Sequence, residues 1–214
     1  MEGTPAGRRA PASADDPRIR RLQRAALVVA GLNLAYFFVE FSVAAAIGSA
    51  SLMADAVDFL EDAAINVLIV LAAALPLATR ALAGRAMALL ILIPAGVAAW
   101  QVVQKALEPA PPDVLALVVT AGGAAVVNLV SALLLSRHRT TAGSIGRAAF
   151  LSARNDVLVN VAIIAMGLVT WLTRSGWPDV VLGVVIVAIA VHAAWEVWEA
   201  AGEERLLAKQ LPRA

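Results

Sequence analysis

The chain has 214 residues, of which 61% are hydrophobic and only 15% charged, with a mean hydropathy of +0.81. Soluble domains average roughly 45–50% apolar and about 25% charged, so the composition excludes an ordinary water-soluble domain and points to an all-α membrane protein. The absence of cysteine excludes a disulfide framework and a thiolate metal site, and the net charge of +1 matters less than where the charges fall.

Residues 1–24 begin MEGTPAGRRAPASADDPRIRR. This stretch is polar and lacks the apolar centre of a cleavable signal peptide, so it is expected to be a disordered, basic cytoplasmic arm. About 20 apolar residues cross a bilayer. Six such runs follow within a single membrane domain over residues 25–200, at roughly 25–47, 54–78, 86–106, 114–136, 150–173 and 179–200. The breaks between them carry turn residues: Gly48-Ser49, Leu82-Ala83-Gly84, Glu108 to Pro112, Arg137 to Ser144, and Ser175 to Pro178. Residues 201–214 form a short charged cytoplasmic tail, with acids first and bases later, that is expected to prolong the last helix. No extramembrane domain is expected.

Positive charge sets the orientation of membrane helices. The amino-terminal arm, the second and fourth connections and the tail hold fourteen Lys and Arg residues. The other side holds only Lys105 and Arg174. Both termini are therefore expected in the cytoplasm, with Trp100, Trp171 and Trp177 toward the outer interface.

The second span carries Asp58, Glu61 and Asp62. Carboxylates at membrane depth cost several kcal/mol unless paired, hydrated or bound to a cation, and they mark function by default. Asp58 and Asp62 are four residues apart and project from one helix face on successive turns. Two carboxylates aimed the same way suit a divalent cation or a shared proton. The fifth span reads FLSARNDVLVNVAIIAM, placing Ser152, Asp156 and Asn160 at the same spacing as Asp58, Asp62 and Asn66. Spans two and five run in opposite directions, so Asp62 and Asp156 are expected to meet near mid-membrane, a common transporter plan.

From about Ala25 to Ala200 the chain resembles the cation diffusion facilitator family. The resemblance rests on NLAYFFVEFSVAAAIGSASLMADA, with Asn33, Glu40 and Gly48-Ser49, on Asp58 and Asp62 in the second span, on Ser152 and Asp156 in the fifth, and on Asp179 in GWPDVVLGVV. It implies a homodimeric antiporter that exchanges a divalent metal for protons, with Asp58, Asp62, Asp156 and Ser152 as the metal site. Three departures accompany it. Most members continue into a cytoplasmic metal-binding domain, whereas this sequence ends at Ala214 and is expected to be a short form. The His-rich connection is reduced to RHRTTAGSIGR, and Ser152 stands where a stronger ligand is usual.

With no His or Cys in that set, oxygen ligands favour manganese, iron(II), cobalt or magnesium over zinc, although zinc also binds carboxylates. The metal is substrate; no resident cofactor is expected. Glu61 and Arg154 read as a supporting charge pair between spans two and five, and Glu40 as a proton or gate residue. Asn66 and Asn160 read as interhelical hydrogen-bonding residues, and His138 and His192 as surface or interfacial. The expected partners are the lipid bilayer, a divalent metal ion, protons and a second copy of the chain, with no nucleic acid. The expected location is the inner (plasma) membrane of a bacterium. An intramembrane aspartyl protease is disfavoured because the Gly-x-Gly-Asp signature is absent, so no enzyme activity is expected. The rival reading is a non-transporting relative, a partner or sensor whose site is filled by Arg154.

Overall fold

The computed structural model describes residues 17–74, 77–136 and 143–210. They form six α-helices and, among the described residues, no strand: α1 Pro17–Ile47, α2 Ala50–Ala74, α3 Leu77–Leu107, α4 Val114–Ser136, α5 Gly143–Thr173 and α6 Trp177–Gln210. The chain is an all-α membrane protein. Five helices contain stretches long and apolar enough to cross a bilayer: Arg20–Ile47, Leu82–Leu107, Val114–Ser136, Arg154–Thr173 and Trp177–Glu196. The 25 residues of α2 also have the necessary length. Its acids, Asp55, Asp58, Glu61 and Asp62, are what lower its apolarity.

Several boundaries differ from the sequence reading; α5, for one, begins at Gly143 instead of residue 150. Helix α1 begins at Pro17, so residues 17–24, assigned to the arm, are helical; Pro at a first helical position has nothing to lose, since that N–H has no partner in any case. Helix α2 begins at Ala50 instead of residue 54. Leu82-Ala83-Gly84 is no break but lies inside α3. A lone Gly costs a helix about 1 kcal/mol and is tolerated. In the sequence it is Pro76, between the end of α2 and the start of α3, that carries the stronger stop signal.

The bundle is built around α2, which packs on α1, α3 and α6 and more lightly on α5; α4 lies against α5 and α1, and α3 against α6. No described side chain of α2 is exposed. Leu52, Met53, Ala54 and Val57 of α2 form the core with Ala44, Ile91, Leu117, Ile163 and Ile186. The large apolar side chains that remain exposed, such as Phe38, Ile93, Leu115, Val119, Leu158 and Ile189, belong to the other helices. Apolar residues outside and acids inside is the arrangement a lipid surround demands, because a charge facing hydrocarbon finds no partner.

The α1–α2, α3–α4 and α5–α6 connections are tied together at one end. Gly48 adopts φ 65°, which glycine reaches without steric cost, and Ser49 N donates to Ala44 O at 3.1 Å, closing α1. Lys105 Nζ donates to Gly48 O at 2.7 Å, and Gly176 N donates to Pro109 O at 2.9 Å. Asp179, buried at the start of α6, accepts from Ser49 Oγ (2.8 Å), Ala50 N (2.8 Å), Ser51 N (3.1 Å) and Ser51 Oγ (2.6 Å). It caps the amino end of α2 from another helix.

Close approach of α6 to α2 depends on Gly183. A Cβ there would stand 2.9 Å from the backbone carbonyl carbon of Ala50, inside van der Waals contact. Gly183→Ala is expected to push the helices apart and to destabilise the protein by about 1–3 kcal/mol, seen as a lower thermal midpoint in detergent. An unchanged midpoint would show that α6 shifts freely against α2.

Candidate functional site

Helix α2 presents its three aspartates to α1 and α5. Asp55, Asp58 and Asp62 follow each other at intervals of three and four residues, so all three lie along one side of the helix. Asp62 is buried and Asp58 half-buried. Asp156, also buried, comes from α5 to within side-chain hydrogen-bonding reach of both. Asp156 is thus a neighbour of both α2 acids across the α2–α5 contact. Asn33 of α1 donates from Nδ2 to Asp62 Oδ2 at 3.3 Å, which helps to orient that carboxyl. Among the described residues, no three Asp, Glu or His side chains converge tightly enough to enclose a metal ion. The fourth expected ligand, Ser152, lies outside the described side chains.

The expected charge pair is not formed. Arg154 is exposed and its Nη2 donates to Asn155 Oδ1 at 3.2 Å. Glu61 is buried and its Oε2 has no hydrogen-bond partner. The acids Asp62, beside it, and Glu196 of α6 lie within electrostatic reach of it. The physical reason lies in the helix wheel. Arg154 is two residues from Asp156, about 200° around α5, so when Asp156 faces α2 its neighbour faces outward. Arg154 is likewise not among the acids, as the rival reading requires.

A second polar cluster lies one turn nearer the Asp179 end. Glu40 of α1 and Asp55 of α2 are both fully buried and within hydrogen-bonding reach of each other. Asn160 of α5 donates from Nδ2 to Asp55 Oδ2 at 2.5 Å, and Asn128 of α4 donates to Asn160 Oδ1 at 3.2 Å. Asn160 therefore links three helices, whereas Asn66 donates to Asp62 O in its own helix at 2.8 Å. His192 is exposed beside Glu196, 3.4 Å away, and His138 lies outside the described residues.

Asp55 and Asn128 are the polar residues that the sequence reading passed over. The signal for Asp55 was present: it precedes Asp58 by three and Asp62 by seven, the spacing of one helix face. Asn128 sits alone in an apolar run, and nothing local separates it from a lipid-facing residue.

The model of the cation efflux transmembrane domain matches residues 26–203 of the chain. No curated protein matches it.

Proposed function

The chain belongs to the cation efflux family, and from that premise we propose that it exports a divalent metal cation in exchange for protons. Asp58 and Asp62 of α2 and Asp156 of α5 hold the metal, with Ser152 as a weaker fourth ligand, direct or through water. The observation that carries this reading is the meeting of the three carboxyls across the α2–α5 contact. Deprotonated, they offer a hard cation several oxygen ligands. Left without it, carboxyls this close cannot all stay charged and so take up protons. One set of side chains thereby serves metal in one direction and protons in the other. The bundle needs only to open the α2–α5 seam alternately toward each side of the membrane.

The oxygen donor set favours manganese, iron(II), cobalt or magnesium, with zinc still accepted. Ser152→His places an imidazole beside the carboxyls and is expected to move the preference toward zinc. Competition between Mn²⁺ and Zn²⁺ in a transport assay reads this, and an unaltered ranking shows that Ser152 points elsewhere. The transporter works as a homodimer, and a bacterial inner membrane is the natural setting. The decisive experiment is reconstitution in liposomes carrying a pH-sensitive dye. A metal gradient should drive a proton flux that the chain alone supports, and metal movement without proton movement would remove the antiport.

Both termini are placed in the cytoplasm, from the fourteen-to-two division of positive charge. Single cysteines at Ala110 and Ser175 are expected to react with an impermeant maleimide from outside, and cysteines at Thr4 and Ala208 only after permeabilisation. Ser49 is unsuitable as a probe, being fully buried against Asp179. The reverse labelling pattern would invert the orientation.

A further inference from the structure

We propose that Glu40 and Asp55 form a second ionisable site, which holds one proton between them and is separate from the carboxyls that bind metal. The presence of that proton follows from the packing. Only its use, as part of the proton traffic of an antiporter, rests on the function proposed above.

Both side chains are 0% exposed. Their carboxyls face each other between α1 and α2, and together they offer four oxygens. Among the described residues a single donor reaches them, Asn160 Nδ2, on Asp55 Oδ2. The carbonyl of Asn160 is engaged in turn by Asn128 Nδ2, which favours this orientation of its amide. The remaining three oxygens, Glu40 Oε1, Glu40 Oε2 and Asp55 Oδ1, have no hydrogen-bond partner. Among the described residues the ionisable groups that face the pair are Tyr36 of α1, Asp58 of α2 and Asp156 of α5, while α4 contributes the neutral Asn128. None of these is a cation. The hydroxyl of Tyr36 is committed to Thr120 O at 2.7 Å.

Two buried carboxylates in contact, with one donor and no counter-charge, are not a stable arrangement. A proton on one carboxyl turns it into a donor for the other and removes one of the two charges. A shared proton needs only the two facing carboxyls and no further ligand. Of the acids assigned to the metal, Asp58 is near the pair, three residues and about 5 Å along the axis from Asp55, and Asp62 is farther away. Asp55 and Asp62 are seven residues apart on α2, about 10 Å along the axis.

The pair stands where α1, α2, α4 and α5 meet, through Glu40, Asp55, Asn128 and Asn160. Loss of the proton leaves two anions facing each other across the α1–α2 contact, and their repulsion bears on the helix that carries Asp58 and Asp62. Proton occupancy is thereby felt at the metal ligands without any shared atom.

The test is infrared spectroscopy of the reconstituted protein in chelator, reading the C=O stretch of protonated carboxyls. Glu40→Gln and Asp55→Asn should each lower that signal by one proton equivalent, and the double variant should lower it by the same single equivalent. Two single variants give the same reading, so the outcome does not hang on the folding of either. Full signal in both singles, or loss of two equivalents in the double, overturns a shared proton. Mn²⁺ binding by Glu40→Gln should stay within about threefold of the unaltered protein. A loss of more than about tenfold overturns the separation from the metal site. Asp62→Ala should keep the Glu40–Asp55 component and lose Mn²⁺ binding. If it binds Mn²⁺ normally, the metal-site assignment falls while the proton site stands.

Discussion

Asp62→Ala and Asp156→Ala are each expected to abolish metal-driven proton exchange while the protein still inserts and folds. Each change removes one of the buried carboxyls that meet across the α2–α5 seam, and neither leaves a residue able to replace an anionic oxygen. Loss of one ligand from a site of three acids lowers affinity for a divalent ion by several orders of magnitude, since each carboxylate supplies charge as well as coordination. Folding is spared for the same reason that binding fails: removing one of several crowded acids relieves repulsion. Asp58→Ala is expected to weaken metal binding strongly and Ser152→Ala less, because a hydroxyl is a poor ligand beside carboxylates. Stopped-flow proton flux in liposomes, with circular dichroism as the folding control, separates these outcomes. Transport that persists in Asp62→Ala sinks the metal-site assignment. Glu61→Gln and Arg154→Gln are expected to behave independently of each other, as the two side chains are not paired.

Asp179→Ala has the largest expected effect on stability. Its carboxyl gathers two hydroxyls and two backbone N–H groups from Ser49, Ala50 and Ser51, all of them buried. Without it the first turn of α2 loses its cap, worth about 1 kcal/mol, and buried donors are left without an acceptor at roughly 1–3 kcal/mol each. The serine hydroxyls can turn elsewhere but the two N–H groups cannot, so the net cost is on the order of 3 kcal/mol. Asp179→Asn keeps one acceptor oxygen and should lose less than Asp179→Ala. Thermal unfolding in detergent reads the difference. Equal midpoints for the two variants would mean that the clamp contributes little beyond packing.

The two polar clusters show how unevenly a site is written in a chain. Asp58, Asp62 and Asp156 could be read from spacing alone, because acids in an apolar run are costly and four-residue intervals put them on one face. Asp55 obeys the same rule at the interval of three, yet draws attention only once Glu40 is seen against it. Glu61 and Arg154 mislead in the opposite way. Two opposite charges near a site suggest a pair, but each lies one or two residues from Asp62 or Asp156 and so points away from the seam that those acids define.

The sequence by itself determined that this protein is helical, that it belongs in a membrane, which spans carry acids and where the main turns fall. These are local properties: length of apolar run, period of polar residues, turn-forming Gly and Pro. Only the tertiary structure decided that α2 is the enclosed helix, that Asp179 of α6 caps it, and that Glu40 and Asp55 face each other with Asn160 and Asn128 behind them. Those facts depend on which helix faces which, and at what rotation. Apolar contacts between helices leave many such arrangements close in energy, and the choice among them is made by the whole set of buried polar groups finding partners at once.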